Sequence, residues 1–282
     1  MHQQKRIAAI HDISCFGKCS LTVALPIISA AGVEVSAIPT AVLSTHTGGI
    51  SGWTYRDLTE DILPIVDHWQ SLDLKFDAIY TGFLGSFAQL DIVANIFDRL
   101  KSPDNMIIVD PVMADNGMLY QLFPPNFPAG MKKLCTKADV IVPNITETVL
   151  MLEEPYREGP YTPAYIESLL EKLARLGAKK VVLTGVHFDR HQLGAASYDS
   201  QTDAISYAFD NWIEGYYHGT GDVFASALTA ALLKDIGLAQ AAEIAVDFTV
   251  GSIARTKKAG TDIRFGVNFE EGIPRLIQQL GL

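Results

Sequence analysis

Four short apolar runs, each closed by a polar or turn-forming residue, constrain this chain more than any other feature. Residues 6–10 end at His11-Asp12, 106–109 at Asp110-Pro111, 140–142 at Pro143-Asn144 and 181–183 at Thr184-Gly185. Runs apolar on both faces are what strands covered on both sides require. Between them lie helical spacings. Residues 88–100 put Leu90, Val93, Ile96, Phe97 and Leu100 on one side, and Thr162-Pro163 opens a second helix as cap and first residue, with Gly177 as its stop. Strands alternating with helices predict an α/β fold with a mainly parallel sheet and helices on both faces. Ligands of such sheets sit beyond the carboxyl ends of the strands. Asp12, Asp110, Asn144 and Thr184 all fall there. Residues 193–198 and 204–209 read as an added β-hairpin, and the three prolines in 124–128 as loop. Neither a linker nor a composition shift divides the chain, so residues 1–282 read as one domain.

Residues 215–233 combine a glycine turn with an apolar helix. Gly219 and Gly221 bracket Thr220 and let backbone amides approach a ligand closely. From Val223 the run is rich in Ala and Leu, with Lys234 in its last turn. A flexible turn feeding the positive end of a buried helix is a recipe for binding an anion. Asp222 is the anomaly. A carboxylate there repels a phosphate unless it stands beside the anion site and takes a proton from a substrate hydroxyl while the amides of Gly219, Thr220 and Gly221 hold the phosphoryl oxygens. The plainer role is a helix cap. The helix N-terminus is expected to lower the proton affinity of Asp222 and make it a weak base.

A net charge of −10 and a pI near 5.1 argue against a nucleic-acid or anionic-membrane surface. Any phosphate-bearing ligand must then be held by local dipoles or a metal. Lys5 and Arg6 precede no apolar signal segment, and the longest apolar stretch, 22–43, is broken by Pro26, Gly32, Glu34 and Pro39. Secretion and membrane spanning are therefore not expected. Three cysteines, Cys15, Cys19 and Cys135, cannot all pair within the chain, which fits a reduced cytoplasmic setting. Gly17-Lys18-Cys19 lacks the spacing of a phosphate-binding Walker loop, and neither a dinucleotide nor a hydrolase glycine signature occurs. Cys15 and Cys19, like His187 and His191, are four apart, with no third zinc ligand evident.

Asp110, after a strand, and Glu147, three residues past Asn144, are candidate Mg²⁺ ligands, directly or through water. Asn144 and Glu147 also fit a helix cap with a first-turn acid, and both roles are compatible. The stretch Ser44-Thr45-His46-Thr47-Gly48-Gly49, with Trp53 beyond it, could line a planar ring or pack as a surface loop.

Together these residues match a family. The chain resembles the pyridoxal/pyridoxamine kinases of the ribokinase-like superfamily from Ile7 to about Gly260. The resemblance is carried by Ser44-Thr-His-Thr-Gly48, Asp110-Pro-Val-Met-Ala-Asp-Asn-Gly117, Ala138-Asp-Val-Ile-Val-Pro-Asn-Ile-Thr-Glu147 and Gly219-Thr-Gly-Asp222. It implies a ribokinase-like α/β/α sandwich and ATP-dependent phosphorylation of a hydroxymethyl group on a vitamin B6 pyridine, by a cytoplasmic homodimer. It also implies Asp222 as base and the amides of Gly219, Thr220 and Gly221 as anion hole. Asn144, Glu147 and Asp110 would serve ATP and Mg²⁺, with Asp115 in a loop near the phosphates and Thr184 near the nucleotide. His46 and Thr47 would contact the pyridine ring. Asp12, where pyridoxal kinases usually carry serine, and the stretch 29–33 resemble the hydroxymethylpyrimidine kinases instead. Phe83 takes a substrate-side place often held by tyrosine. Val142 stands where many pyridoxal kinases have a threonine associated with a monovalent cation, a departure that bears on K⁺ dependence. The alternatives are thus a pyrimidine kinase and a non-catalytic sensor of B6 or nucleotide.

Overall fold

The structure is a computed structural model and describes residues 4–282. Its strands are β1 (Arg6–Ser14), β2 (Glu34–Leu43), β3 (Tyr55–Asp57), β4 (Ala78–Thr81), β5 (Met106–Val109), β6 (Ala114–Asp115), β7 (Met118–Leu119), β8 (Val140–Ile141), β9 (Lys180–Val186), β10 (Gln192–Asp199) and β11 (Ala204–Asn211). The helices are α1 (Leu21–Ala30), α2 (Thr59–Ser71), α3 (Phe87–Leu100), α4 (Phe127–Cys135), α5 (Ile145–Leu152), α6 (Pro163–Ala174), α7 (Thr220–Leu233), α8 (Leu238–Ala259) and α9 (Ile273–Gln279). Nine strands form one sheet in the order β11-β10-β9-β8-β5-β4-β1-β2-β3, and β6 and β7 form a separate two-stranded ribbon. The central strands pair in parallel, while β3, β10 and β11 add antiparallel edges. This is the α/β architecture expected of the ribokinase-like superfamily.

Alternation along each strand builds two cores. Ile7, Tyr80, Ile108 and Val182 face α1, α7 and α8, whereas Ala8, Ile10, Ile79, Ile107 and Val181 face the layer of α2, α3, α4 and α6. Burying each large aliphatic side chain contributes roughly 1.5–3 kcal/mol. From Val223 to Leu233 every residue of α7 is buried, because α1 and α8 enclose it against the sheet. Among the described residues no helix is long and apolar enough to cross a membrane.

Several expected boundaries move. β1 runs on to Ser14 through a register shift between His11 and Ile13, so Asp12 lies in an irregularity of the strand and not in the turn after it. β9 likewise continues to Val186, held by the antiparallel β10. The 124–128 segment is not all loop, since Phe127 and Pro128 open α4, where proline's missing N–H costs nothing. α7 starts at Thr220, three residues early, and Lys234 caps it from outside. The hairpin of β10 and β11 extends the main sheet at its edge.

Candidate active site

β1 leads to β2 on one side of the sheet, and the chain then crosses to β4 on the other side of β1. A crevice opens beyond the strand ends at such a reversal. Here it is a cleft of about 1320 Å³ whose lining includes Asp12, His46, Thr47, Phe83, Asp110, Asp115, Asn144, Glu147, Thr184 and the turn from Gly219 to Asp222. Every site residue expected from sequence faces this one cavity. Of the Ser44–Gly49 stretch, His46, Thr47 and Gly48 line the cleft.

The glycine turn has a specific build. Gly219 adopts φ 74° as the residue before α7, and a Cβ there would collide with the Lys18 carbonyl. Among the described residues no protein acceptor takes the N–H of Gly219, Thr220 or Gly221, the orphan donors of a helix start. Thr220 Oγ1 instead donates to the Tyr217 carbonyl at 3.1 Å. The partner loop is strained to fit, with positive φ at Gly17, Lys18 and Ser20.

Asp222 stands in the first turn of α7 and does not cap it. It keeps a little solvent access through the cleft, yet burial pushes its carboxyl up to about 7, against a lowering by the Ser20 amide and with a further push from Asp12. This corrects the sequence expectation. Desolvation outweighs the helix terminus, and Asp222 is a stronger base than an exposed aspartate. Asp12 is raised too, by burial, although the Ser20 and Ser14 hydroxyls lower it, the latter donating at 3.1 Å.

On the other wall, the Asn144 side chain accepts from the Glu147 amide at 2.8 Å and Glu147 Oε2 accepts from the Asn144 amide at 2.8 Å, a reciprocal cap on α5. Glu147 Oε1 also accepts from the Met113 amide at 3.1 Å. Burial raises Asp110 and Glu147 above the usual carboxylate range, and the charges of Glu147 and Asp222 raise Asp110 further. Among the described residues no three His, Cys, Asp or Glu side chains lie close enough to grasp a metal directly. Asp110 and Glu147 put carboxylate oxygens on the cleft wall, the hard donors that Mg²⁺ takes in ones and twos with water and phosphate completing its shell.

His46 is fixed at both ring nitrogens. Nδ1 accepts from the Gly48 amide at 3.1 Å, so Nε2 carries the proton and meets the Arg264 carbonyl at 2.5 Å. The ring offers its face, not a free nitrogen, to a ligand. Its pKa is lowered by burial. His218, one residue before the turn, lies beside it with ring centroids 5.1 Å apart. Thr184 bridges to Asn144 across the ends of β8 and β9.

Other residues of the cleft were not singled out in the sequence. Ser20, Tyr216, His218 and Trp212 line it, as do Val246, Thr249, Val250 and Ile253 from α8. His218 adjoins the glycine turn in sequence and could have been found there. The α8 residues carry no motif and reach the cleft only through packing.

The phosphomethylpyrimidine kinase family matches residues 25–266. A Bacillus subtilis hydroxymethylpyrimidine/phosphomethylpyrimidine kinase is 29% identical over 79% of this chain and 79% of its own length. A Bacteroides thetaiotaomicron chain provisionally assigned as a phosphomethylpyrimidine kinase, in a crystal form with pyridoxal, superposes with a TM-score of 0.92 at 38% identity, covering 97% of this chain and 96% of that one. The Lactobacillus plantarum pyridoxal kinase superposes at 0.89 with 31% identity, covering 98% of each chain. The protein belongs to the phosphomethylpyrimidine kinase family, which unites it with pyridoxal and hydroxymethylpyrimidine kinases of ribokinase-like fold, and it is a phosphotransferase with an alcohol as acceptor.

Proposed function

We propose that the protein phosphorylates the 5′-hydroxymethyl group of a vitamin B6 vitamer with Mg·ATP to give the 5′-phosphate. The observation that carries this reading is Asp222, a buried carboxylate raised to about 7, set beside three unclaimed amides in one cleft. Asp222 takes the hydroxyl proton, and the amides of Gly219, Thr220 and Gly221 hold the oxygens of the migrating phosphoryl group. Asn144, Thr184 and Asp115 line the nucleotide side, with Asp110 and Glu147 placed for Mg²⁺. When bound, the ion offsets phosphate charge that five lining carboxylates, Asp12, Asp110, Asp115, Glu147 and Asp222, otherwise repel. The locked ring face of His46, with Thr47 and Phe83, suits a planar heterocycle. Likeness to chains solved with pyridoxal or named pyridoxal kinase supports a B6 substrate. We further propose one catalytic domain, a homodimer and a cytoplasmic setting, the last in keeping with three free thiols.

Asp12 and the Bacillus relative favour a second reading, phosphorylation of 4-amino-5-hydroxymethylpyrimidine. Rates of ADP formation with pyridoxal, pyridoxine, pyridoxamine and the pyrimidine, with and without K⁺, separate the two. At least tenfold higher kcat/KM for one B6 vitamer is the expected result. A pyrimidine preference of that size would transfer the assignment, and tight binding without turnover of any of the four would point to a sensor.

A further inference from the structure

Four of the five carboxylates lining the cleft have a place in the proposed transfer: Asp222 as base, Asp110 and Glu147 toward Mg²⁺, and Asp115 on the nucleotide side. Asp12 has none. It is only 4% exposed, and the register shift between His11 and Ile13 sets it apart from regular strand pairing. β1 runs between β2 and β4, the strands that lead to His46 and Phe83, so Asp12 lies between the two sides of the slot offered to a planar ring. Ser20 pairs with Ile13 in an isolated backbone bridge, and the Lys18 carbonyl stands 2.3 Å from where a Cβ on Gly219 would be. Residues 18–20 therefore join the neighbour of Asp12 to the glycine turn, and Asp12 and Asp222 share one end of the cleft.

A buried carboxylate calls for a cation to compensate it. The Ser14 hydroxyl donates to Asp12 Oδ2 at 3.1 Å and the Ser20 hydroxyl is a second donor, but both are neutral. Among the described residues the cleft wall carries no lysine or arginine, and its only basic side chains are His46 and His218. His46 accepts from an amide at Nδ1, so its ring is neutral. Burial lowers the pKa of His218 as well. The acceptor end thus has no positive charge of its own, and a ligand can bring one. The four candidate heterocycles carry the reacting hydroxymethyl group beside the substituent by which they differ: an aldehyde in pyridoxal, a second hydroxymethyl in pyridoxine, an aminomethyl in pyridoxamine and an amino group in the pyrimidine. Of these only the aminomethyl group, an alkylamine like that of lysine, is a cation at neutral pH.

We propose that Asp12 sets the choice of acceptor by pairing with an amino group on the ring carbon next to the hydroxymethyl, so that pyridoxamine is phosphorylated in preference to pyridoxine and pyridoxal. With the hydroxymethyl at Asp222, that neighbouring substituent falls at the end of the cleft that Asp12 shares. The ammonium supplies the charge that two serine hydroxyls do not, and a charge-assisted hydrogen bond is the stronger kind. The choice of vitamer rests on the B6 reading, whereas the demand for an amine rests on Asp12 alone.

Pyridoxamine and pyridoxine are the decisive pair, because their variable groups differ in charge at nearly equal size. The test is steady-state kinetics of wild type and Asp12→Asn with Mg·ATP and each of the two, alongside calorimetric dissociation constants for both ligands. Wild type is expected to favour pyridoxamine about tenfold in kcat/KM and in affinity. Asp12→Asn should lose about that factor for pyridoxamine, chiefly through KM, and stay within about threefold of wild type for pyridoxine. A residue that only shapes the cleft would lower both substrates together. The proposal is overturned if wild type takes pyridoxine as well as pyridoxamine, or if Asp12→Asn lowers the two equally. Should Asp12→Asn fail to fold, Asp12→Ser is held to the same criterion, and the wild-type ratio decides without any variant. If no B6 vitamer is phosphorylated while the pyrimidine is, the B6 reading falls, and Asp12 is judged on the 4-amino pyrimidine against its 4-methyl analogue. A preference of about tenfold for the amine in wild type, lost in Asp12→Asn, then supports its role, and equal use of the two overturns it.

Discussion

The Tyr216 hydroxyl donates to Asp115 Oδ2 at 2.8 Å and so ties the segment before the glycine turn to the ribbon of β6 and β7. The ribbon is itself pinned to α5, because the Gly117 amide donates to Thr146 Oγ1 at 3.0 Å. Both Tyr216 and Asp115 line the cleft, so the bond helps define its mouth. Tyr216→Phe should raise KM for ATP several-fold with a smaller change in kcat, since a half-exposed hydrogen bond contributes about 1 kcal/mol. Initial-rate measurements at varied ATP check this, and an unchanged KM would make the bond incidental.

Asp222→Asn should fold normally and lower kcat by about 10³-fold, the scale of a lost general base. It should also be the more stable protein at pH 8. The folded carboxyl is raised from 3.8 to about 7, so between these values the native state binds more protons than the unfolded chain and stability falls as pH rises. Removing the charge should restore roughly 1–2 kcal/mol, discounted for partial solvent access. Thermal melts of both proteins at pH 5 and pH 8 test it: the gap should be full at pH 8 and less than half as large at pH 5, closing only below the unfolded value of 3.8.

As the proposed base, Asp222 should set the acid limb of activity through the same shift. Asp222 must be ionised to accept a proton, so kcat/KM should fall about tenfold per pH unit below a midpoint near 7 in the free enzyme. A flat profile down to pH 5 would assign the base an ordinary carboxylate value.

Gly219→Ala and Gly221→Ala should part company. Gly219 has φ 74° and no room beside the Lys18 carbonyl, so alanine there should cost about 1–3 kcal/mol of stability and displace the amides. Gly221 has helical φ and open space around its missing Cβ. Its alanine variant should melt like wild type and lose activity alone. Denaturation midpoints alongside turnover distinguish the pair.

The fold was legible where polarity changes abruptly along the chain. Strands β5 and β8, helix α6 with its Thr162 cap, the Asn144–Glu147 box and the β10–β11 hairpin all carry local signals that packing then reinforces. What the sequence hid is tertiary. The extension of β1 past Asp12 depends on pairing with β2, a partner over 20 residues away. The strength of Asp222 as a base depends on how much water the folded cleft removes, which no local rule contains. Ser20 aims its amide at Asp222 from a left-handed backbone, and nothing in Lys18-Cys19-Ser20 announces that conformation.

Acidic walls around a cleft that holds neither lysine nor arginine among its lining residues also bear on what happens after transfer. A newly made phosphate monoester is close to a dianion, and it is born beside Asp222 and Asp12 with no fixed cation to detain it. In the proposed transfer Asp222 holds the hydroxyl proton when the monoester forms, so loss of that proton to solvent would set a like charge beside the new phosphate and favour its departure.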